Sequence, residues 1–365
     1  MTKNEKINIK KIRCRKYKII IGNKSLEKIN EFVKFNKYSK VFIISEKKIY
    51  NLWKDKINKI HNNINVILLK TGEKTKSMES VQYICEKLID FGADRKSLII
   101  NIGGGMITDL GGFSSSIYMR GVDYINIPTS LLAMIDASIG GKNGVNLNSV
   151  KNIIGVFNEP KLIIIDTEFL QTLPEREYNS AYGEIIKHSI IRNKKYFNTL
   201  EKYGKNYDIN NIILNSLKIK RYFVQKDFKE KNIRKILNFG HTIGHSIESI
   251  SMDCKQPILH GEAIVVGMFL ETKIAEKNNL ISKKNADKIY KLLNNFGLKD
   301  LIKYIEKNKK TFNTKELINK MKKDKKNIKN KIKMVLPLKI GKCKYDIYVN
   351  ENDILKCFSE NLKLK

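Results

Sequence analysis

The first half of the chain is punctuated by short runs of Ile, Val and other strand-forming residues. They cover residues 17–21, 41–45, 66–69, 98–102, 124–127 and 162–165. Between several of them lie amphipathic stretches. Residues 77–91 carry Met78, Val81, Ile84, Leu88 and Ile89 at helical spacing. Strands alternating with helices predict an α/β unit built on a mostly parallel sheet. Such sheets hold ligands beyond the carboxyl ends of their strands.

After Pro174 the pattern changes. From residue 175 to about 318 the apolar positions recur every three or four residues, with almost no strand-like run. Residues 331–337 and 343–349 read as short extended segments and 351–358 as a closing helix. The expected division is residues 1–174, α/β, and 175–365, helical. No internal repeat is visible. Residues 320–333 are mostly Lys and Asn and read as a loop or frayed helix end.

At 365 residues and 42% hydrophobic, the chain has material for two ordinary cores. No apolar run reaches the roughly 18–20 residues of a membrane span. The lysine-rich start lacks the apolar core of a secretory signal. Five scattered cysteines (Cys14, Cys85, Cys254, Cys343, Cys357) form no C-x-x-C pair, which fits a reducing cytoplasm better than a disulfide framework. The net charge of +33 invites a nucleic-acid reading. Against it, only eight of the 70 basic residues are Arg, the side chain suited to bidentate base and phosphate contacts. Lys, Asn and Ile are abundant together, and all three have A/T-rich codons. Much of the charge is then a solvated surface, with no specific nucleic acid and no membrane as partner.

Two glycine clusters change the picture. Ile102-Gly-Gly-Gly-Met-Ile-Thr-Asp-Leu-Gly-Gly112 follows a strand and opens a helix. Its backbone N–H groups can approach a phosphate, helped by the helix dipole. It is not the usual dinucleotide fingerprint, because Thr108 stands where a third Gly belongs, and a plain tight turn is the bland alternative. Asp123 precedes its strand and is a poor ribose partner. In Ser138-Ile-Gly-Gly-Lys-Asn-Gly-Val-Asn146, Lys142 sits among glycines, as a cation reaching a small anion would.

Histidine is scarce, and three of the five fall within residues 241–260. His241 and His245 are four apart and share a helix face; His260 follows in Leu259-His-Gly-Glu262. Neutral imidazole is a common zinc ligand and also an acid or base near neutral pH. Cys254 reads as a fourth ligand or as a buried thiol.

Together these segments resemble the 3-dehydroquinate synthase family. The match runs in order through Gly72-Glu-Lys-Thr-Lys76, Gly103-Gly-Gly-Met-Ile-Thr-Asp109, Tyr118-Met-Arg-Gly121, Pro128-Thr-Ser-Leu-Leu132, Gly140-Gly-Lys142, Lys151-Asn152 and Thr172-Leu-Pro174. It continues through Gly183-Glu-Ile-Ile-Lys187, Arg234-Lys-Ile-Leu-Asn-Phe-Gly-His241, His260-Gly-Glu262 and Asp324-Lys-Lys326. The resemblance implies a Rossmann-like NAD-binding α/β domain, then an all-α domain, with the active site between them.

It implies one divalent metal, Zn2+ or Co2+, on Glu184, His241 and His260, with His245 transferring protons beside it. For NAD it points to Glu73 and Lys76, the turn Gly105, Met106, Ile107, Thr108 and Asp109, Thr129 and Ser130, Lys142 and Lys151, and Phe169, Leu170, Gln171 and Thr172. For the substrate it points to Arg120, Asp136, Lys142, Asn152, Lys187, Lys220, Arg234, Asn238 and one of Lys325 or Lys326. Arg120 is expected to reach a neighbouring subunit's site, which implies a homodimer.

The implied reaction converts 3-deoxy-D-arabino-heptulosonate 7-phosphate to 3-dehydroquinate and phosphate. Transient oxidation by NAD at C5 acidifies the neighbouring C–H, phosphate leaves, the hydride returns, and an aldol addition closes the ring. NAD is regenerated, so the net reaction is that of a lyase. A substrate with carboxylate and phosphate suits the Lys, Arg and Asn inventory. The departures are modest. Ser45 stands where the family usually has Asp or Asn on the adenosine ribose, so weaker NAD binding is expected. Thr108, Asn143 and Gly183 replace a usual Gly, Thr and Ala, and Phe228 interrupts an acidic pair after Asp227. The rivals are other sugar phosphate cyclases, metal-dependent glycerol or alcohol dehydrogenases, and a basic nucleic-acid-binding protein.

Overall fold

The computed structural model describes residues 9–148, 150–322 and 331–364, which divide into two compact units, Met1–Pro174 and Glu175–Lys365. The first unit is built on a seven-stranded sheet. Its strands are β1 (Lys10–Arg13), β2 (Lys18–Gly22), β3 (Val41–Glu46), β4 (Ile64–Leu69), β5 (Leu98–Gly103), β6 (Asp123–Pro128) and β9 (Leu162–Asp166), in the order β1-β2-β9-β6-β5-β3-β4. All neighbours are parallel except β1 with β2. Every residue of β5 is buried. That explains its near-continuous apolar run, since a central parallel strand is covered on both faces.

The chain winds from β3 outward to β4, then returns to the other side of β3 for β5. Ligand crevices open at such a reversal, beyond the carboxyl ends of the strands. The ends concerned are those of β3 and β5, at Glu46 and Gly103.

The helix Gly105–Ile117 lies close against β5. A methyl on Gly111 would stand 2.0 Å from Asn101 Oδ1, and one on Gly112 would stand 2.3 Å from Asn143 Oδ1. The second contact belongs to a separate antiparallel hairpin, β7 (Lys142–Leu147) with β8 (Val150–Phe157). Periodicity did not predict this hairpin, because β7 is mostly polar or Gly, and the apolar residues of β8 do not alternate strictly and are largely exposed. The hairpin carries Lys142, Lys151 and Asn152.

The second unit is mostly helical, with one antiparallel hairpin, β10 (Lys331–Lys339) with β11 (Lys342–Asn350), as the two extended segments predicted. The expected closing helix forms over Glu351–Leu362. The helix His260–Lys277 is buried along most of its length and is apolar on nearly all sides, as a central helix must be.

Glycines let its neighbours touch it backbone to backbone. A methyl on Gly183 would lie 2.1 Å from the Gly261 carbonyl oxygen, and one on Gly267 would lie 2.0 Å from that of Gly240. These contacts fix the helices Tyr182–Arg192 and His241–Ser251 against the central one. Gly267→Ala is therefore expected to destabilise the helical unit by about 1–3 kcal/mol through overpacking. A thermal or urea unfolding curve would detect it as a lowered midpoint.

Candidate active site

In the helical unit, three side chains from three helices converge. Glu184 sits in the first turn of Tyr182–Arg192, His241 opens His241–Ser251, and His260 opens His260–Lys277. Glu184 has no solvent exposure. Its Oε1 lies 3.5 Å from His241 Nε2 and 3.6 Å from His260 Nε2. Ligands about 2.0–2.2 Å from a tetrahedral metal sit roughly 3.3 Å apart, so one carboxylate oxygen and two imidazole nitrogens at these separations suit a zinc-type ion. Two imidazoles and a carboxylate are also the donor set of an open catalytic site.

His245 stands one turn along from His241 and is exposed, with ring centres 4.9 Å from His241 and 5.5 Å from His260. Ligand atoms of His241, His245 and His260 lie within 4.8 Å of one another, so an all-histidine set is also within reach. Cys254 interacts with Tyr304 instead, which favours the plain thiol reading.

The electrostatics pull the two imidazoles apart. Burial, then the nearby Lys187, hold His241 well below its usual value, so it is a neutral donor. Burial also opposes a charged His260, but Glu184 and Glu248 outweigh it and raise the ring to about 9. His260 Nδ1 is 3.1 Å from Glu248 Oε2, an outer carboxylate that orients the ring and leaves Nε2 facing Glu184. Lys187 Nζ pairs with Glu184 Oε2 one turn along the same helix. His188, also fully buried, places Nε2 4.0 Å from the same oxygen; it drew no notice in the sequence because it lies far along the chain from the other histidines.

The cations expected around this centre are held inside the unit. Lys187, Lys220 and Arg234 are buried. Arg234 donates from Nη1 to the Phe228 carbonyl at 2.5 Å. Its own N–H, with those of Lys231 and Asn232, goes to the Asp227 carboxylate. Asn238 Nδ2 donates to Glu230 Oε1 at 2.7 Å, which fixes its amide. Glu230 is a residue the sequence reading passed over: it is acidic, two positions past the interrupting Phe228, and holds Asn238. Lys325 and Lys326 lie outside the described residues.

In the α/β unit, the first turn of Gly105–Ile117 follows β5 after Gly104, which brings no side-chain cap. The N–H groups of Gly105, Met106 and Ile107 therefore form the open amino end of a helix. Thr108 is buried and its hydroxyl donates to the Gly105 carbonyl at 3.1 Å, so it replaces a Gly without entering the crevice. Thr129 and Ser130 stand at the end of β6, and the Thr129 N–H donates to Gly103.

Beside them, Lys76 Nζ bridges Asp109 Oδ2 at 2.6 Å and Asn152 Oδ1 at 2.5 Å. Asn146 ties the same loops together. It donates to Glu73 Oε1 at 3.0 Å and accepts the Asn152 N–H at 2.9 Å, and its own N–H meets the Lys76 carbonyl at 2.9 Å. Asn152 takes a positive φ of 53°, which this clamp holds. Sequence reading missed Asn146 because the hairpin that delivers it was not predicted. Lys142 and Lys151 are exposed on that hairpin.

The remaining residues fall on turns and helix ends. Asp136 is half-buried on the helical turn Ala133–Ala137. Arg120 is exposed on a turn where Met119, Arg120 and Gly121 all have positive φ. In Thr167–Thr172, Phe169 packs edge-on to Trp53 and is core, while Trp53 Nε1 donates to Thr172 Oγ1 at 2.9 Å. Leu170 and Gln171 are more open.

Ser45 is fully buried and donates to the Ile102 carbonyl at 2.8 Å. The carboxylate at that strand end is Glu46. Burial raises its pKa, partly offset by the Gly72 N–H.

Known proteins match nearly the whole chain. Residues 66–180 match the family model described as 3-dehydroquinate synthase N-terminal, and residues 181–327 match 3-dehydroquinate synthase C-terminal. The 3-dehydroquinate synthase of Dictyoglomus thermophilum is 43% identical, covering 94% of this chain and 95% of its own. That of Dictyoglomus turgidum is 39% identical, covering 96% of each. Among solved structures, 2-deoxy-scyllo-inosose synthase complexed with carbaglucose-6-phosphate, NAD+ and Co2+ superimposes with a TM-score of 0.84 at 25% identity. It covers 97% of this chain and all of that one.

The Asp227 turn yields a pH-dependent prediction. Partial burial opposes its ionisation, but the N–H groups of Asn232, Lys231 and Arg234 outweigh it and hold the carboxyl below its ordinary value. Its stabilising effect is present above the unfolded value of about 3.9 and is lost as pH falls through the lower folded value. Asp227→Asn should lower the unfolding midpoint at pH 7, and the gap to wild type should close in acid.

Proposed function

The chain belongs to the 3-dehydroquinate synthase family, and we propose that it performs that family's reaction, 3-deoxy-D-arabino-heptulosonate 7-phosphate to 3-dehydroquinate and phosphate. The observation that carries this reading is the convergence of Glu184, His241 and His260 on one point, with Lys187 paired to the same carboxylate. We assign these three as ligands of Zn2+ or Co2+. We assign NAD to the α/β unit, at the turn Gly105–Asp109, with Glu73, Lys76, Thr129, Ser130, Lys151 and the 169–172 segment, and with Glu46 taking the ribose hydroxyls. When bound, NAD would supply transient hydride acceptance at C5, and a metal held by Glu184, His241 and His260 would supply a Lewis acid for the C5 oxygen.

The chain's own side chains then supply binding and proton handling. Arg234, Lys220 and Lys187 are cations fixed by burial, ready for a substrate bearing a carboxylate and a phosphate without reorganisation. Asn238, oriented by Glu230, fixes a substrate hydroxyl. His245 is the exposed imidazole of the cluster, placed at the water-facing side to carry protons to and from the reacting oxygen. Arg120, Asp136, Lys142 and Asn152 complete the substrate set. The related dehydrogenase reading would leave these cations without a use, and the nucleic-acid reading has only the charge in its favour. Five free cysteines suit a cytoplasmic enzyme.

A homodimer is part of the proposal. Ile153 and Phe157 on β8 are more than two-fifths exposed, as are Ile117 and Met119 beside Arg120. Asn158 Nδ2 donates to Ser116 Oγ at 2.9 Å, which ties the residue after Phe157 to the residue before Ile117. Exposed apolar side chains grouped in this way favour an interface. Replacing Ile153 and Phe157 by Asp should give a monomer by light scattering, while Arg120→Ala should lower kcat in a dimer.

The direct test supplies the heptulosonate phosphate with zinc and substoichiometric NAD. Phosphate release exceeding the NAD present, without NADH build-up and abolished by Glu184→Ala, is expected. Stoichiometric NADH would indicate a dehydrogenase instead.

A further inference from the structure

The amino end of the helix His241–Ser251 is closed by a side chain from another helix. An ordinary helix carries Ser, Thr, Asp or Asn at its first boundary position, whose oxygen accepts the free N–H groups of the first turn. Here that position is Gly240, in the left-handed region at φ 80° and without a side chain to cap. No capping residue can stand there. A Cβ on Gly240 would lie 2.6 Å from Met268 Cγ and 3.0 Å from the Ile264 carbonyl oxygen.

Glu271 takes over the task from the helix His260–Lys277. Its side chain has no solvent exposure. Oε2 accepts the Gly240 N–H at 2.6 Å, and Oε1 accepts the Ile243 N–H at 3.4 Å. Burial pushes the Glu271 carboxyl up to about 8, against the N–H groups of Gly240, Ile243 and Thr242, which favour its charged form; the geometry still places backbone donors from either side of His241 on both oxygens. The spacing is informative. Residues 260, 264, 267 and 271 follow i, i+4, i+7 and i+11 and so share one helix face. His260, the glycine that admits the His241 helix, and the carboxylate that closes that helix all lie on it.

We propose that Glu271 is a positioning residue for the metal centre, holding the first turn of the His241 helix in register with His260. The inference rests on the proposed metal reading of Glu184, His241 and His260, which Glu271 does not itself touch. With the cap gone, the first turn of the His241 helix loses these hydrogen bonds to the central helix, and the placing of His241 against His260 is left to packing and to the Glu248–His260 contact further along the helix. Groups that orient metal ligands from outside typically change metal affinity by about 10–100-fold.

The test uses the full chain and zinc alone. Glu271→Gln keeps the volume but turns an amide NH2 toward one of the two backbone donors. Zinc affinity is measured by chelator competition, and amide exchange at Gly240 and Ile243 is measured without metal. Leu293→Ala, a buried position on the helix Lys283–Asn294, serves as a general destabiliser. Glu271→Gln should weaken zinc binding by about tenfold or more and speed exchange at those amides, while NAD affinity stays unchanged. Leu293→Ala should leave zinc affinity within about twofold. Equal zinc binding by Glu271→Gln and wild type, or an equal loss in Leu293→Ala, would overturn the inference. Wild type binding zinc no more tightly than Glu184→Ala would instead overturn the metal reading, and the inference with it.

Discussion

A carboxylate with no solvent exposure has to be compensated, and the compensation of Glu184 organises the helical unit. Leaving a buried charge uncompensated costs several kcal/mol. Lys187 supplies one positive partner on the same helix, and two imidazole nitrogens face the other oxygen at 3.5 and 3.6 Å. A divalent cation at that point would complete the balance and give the two histidines and the carboxylate a common purpose. Three helices must meet at backbone distance to bring these groups together. Gly183 against Gly261, and Gly240 against Gly267, make that approach sterically possible.

The α/β unit follows a different logic. Its parallel sheet places Glu46, Gly103–Gly105, Thr129 and Ser130 at neighbouring strand ends. The glycines there expose the N–H groups of a helix, which favours a phosphate. Lys76 and Asn146 then knit the loop after β4 to the hairpin β7–β8. The carboxylate–imidazole centre in one unit and the open helix amino end in the other are the features on which the proposed metal and NAD sites rest.

Much of this was legible in the sequence. The strand runs survive in the sheet with small shifts at their ends, because central parallel strands are apolar on both faces. His241 and His245 share a helix as their spacing required. Spacing alone could not separate ligand from proton carrier, and Glu184 is distant in sequence; the ordered family match was needed to suggest it. What stayed hidden shares one physical cause. Asn146, Glu230 and Glu271 act through hydrogen bonds to residues remote in sequence or on irregular backbone, and no periodicity announces such bonds. The hairpin β7–β8 escaped because β7 is mostly polar or Gly and β8, though mostly apolar, lacks strict alternation and is largely exposed.

The central claim is that Glu184, and not His245, completes the metal centre with His241 and His260. Anomalous diffraction at the zinc edge from crystals of the zinc-loaded protein tests it most directly. The account predicts one peak about 2.0–2.2 Å from a Glu184 oxygen and from Nε2 of His241 and His260, with His245 outside the coordination sphere. A peak coordinated by all three histidines, with Glu184 left to Lys187, would contradict it.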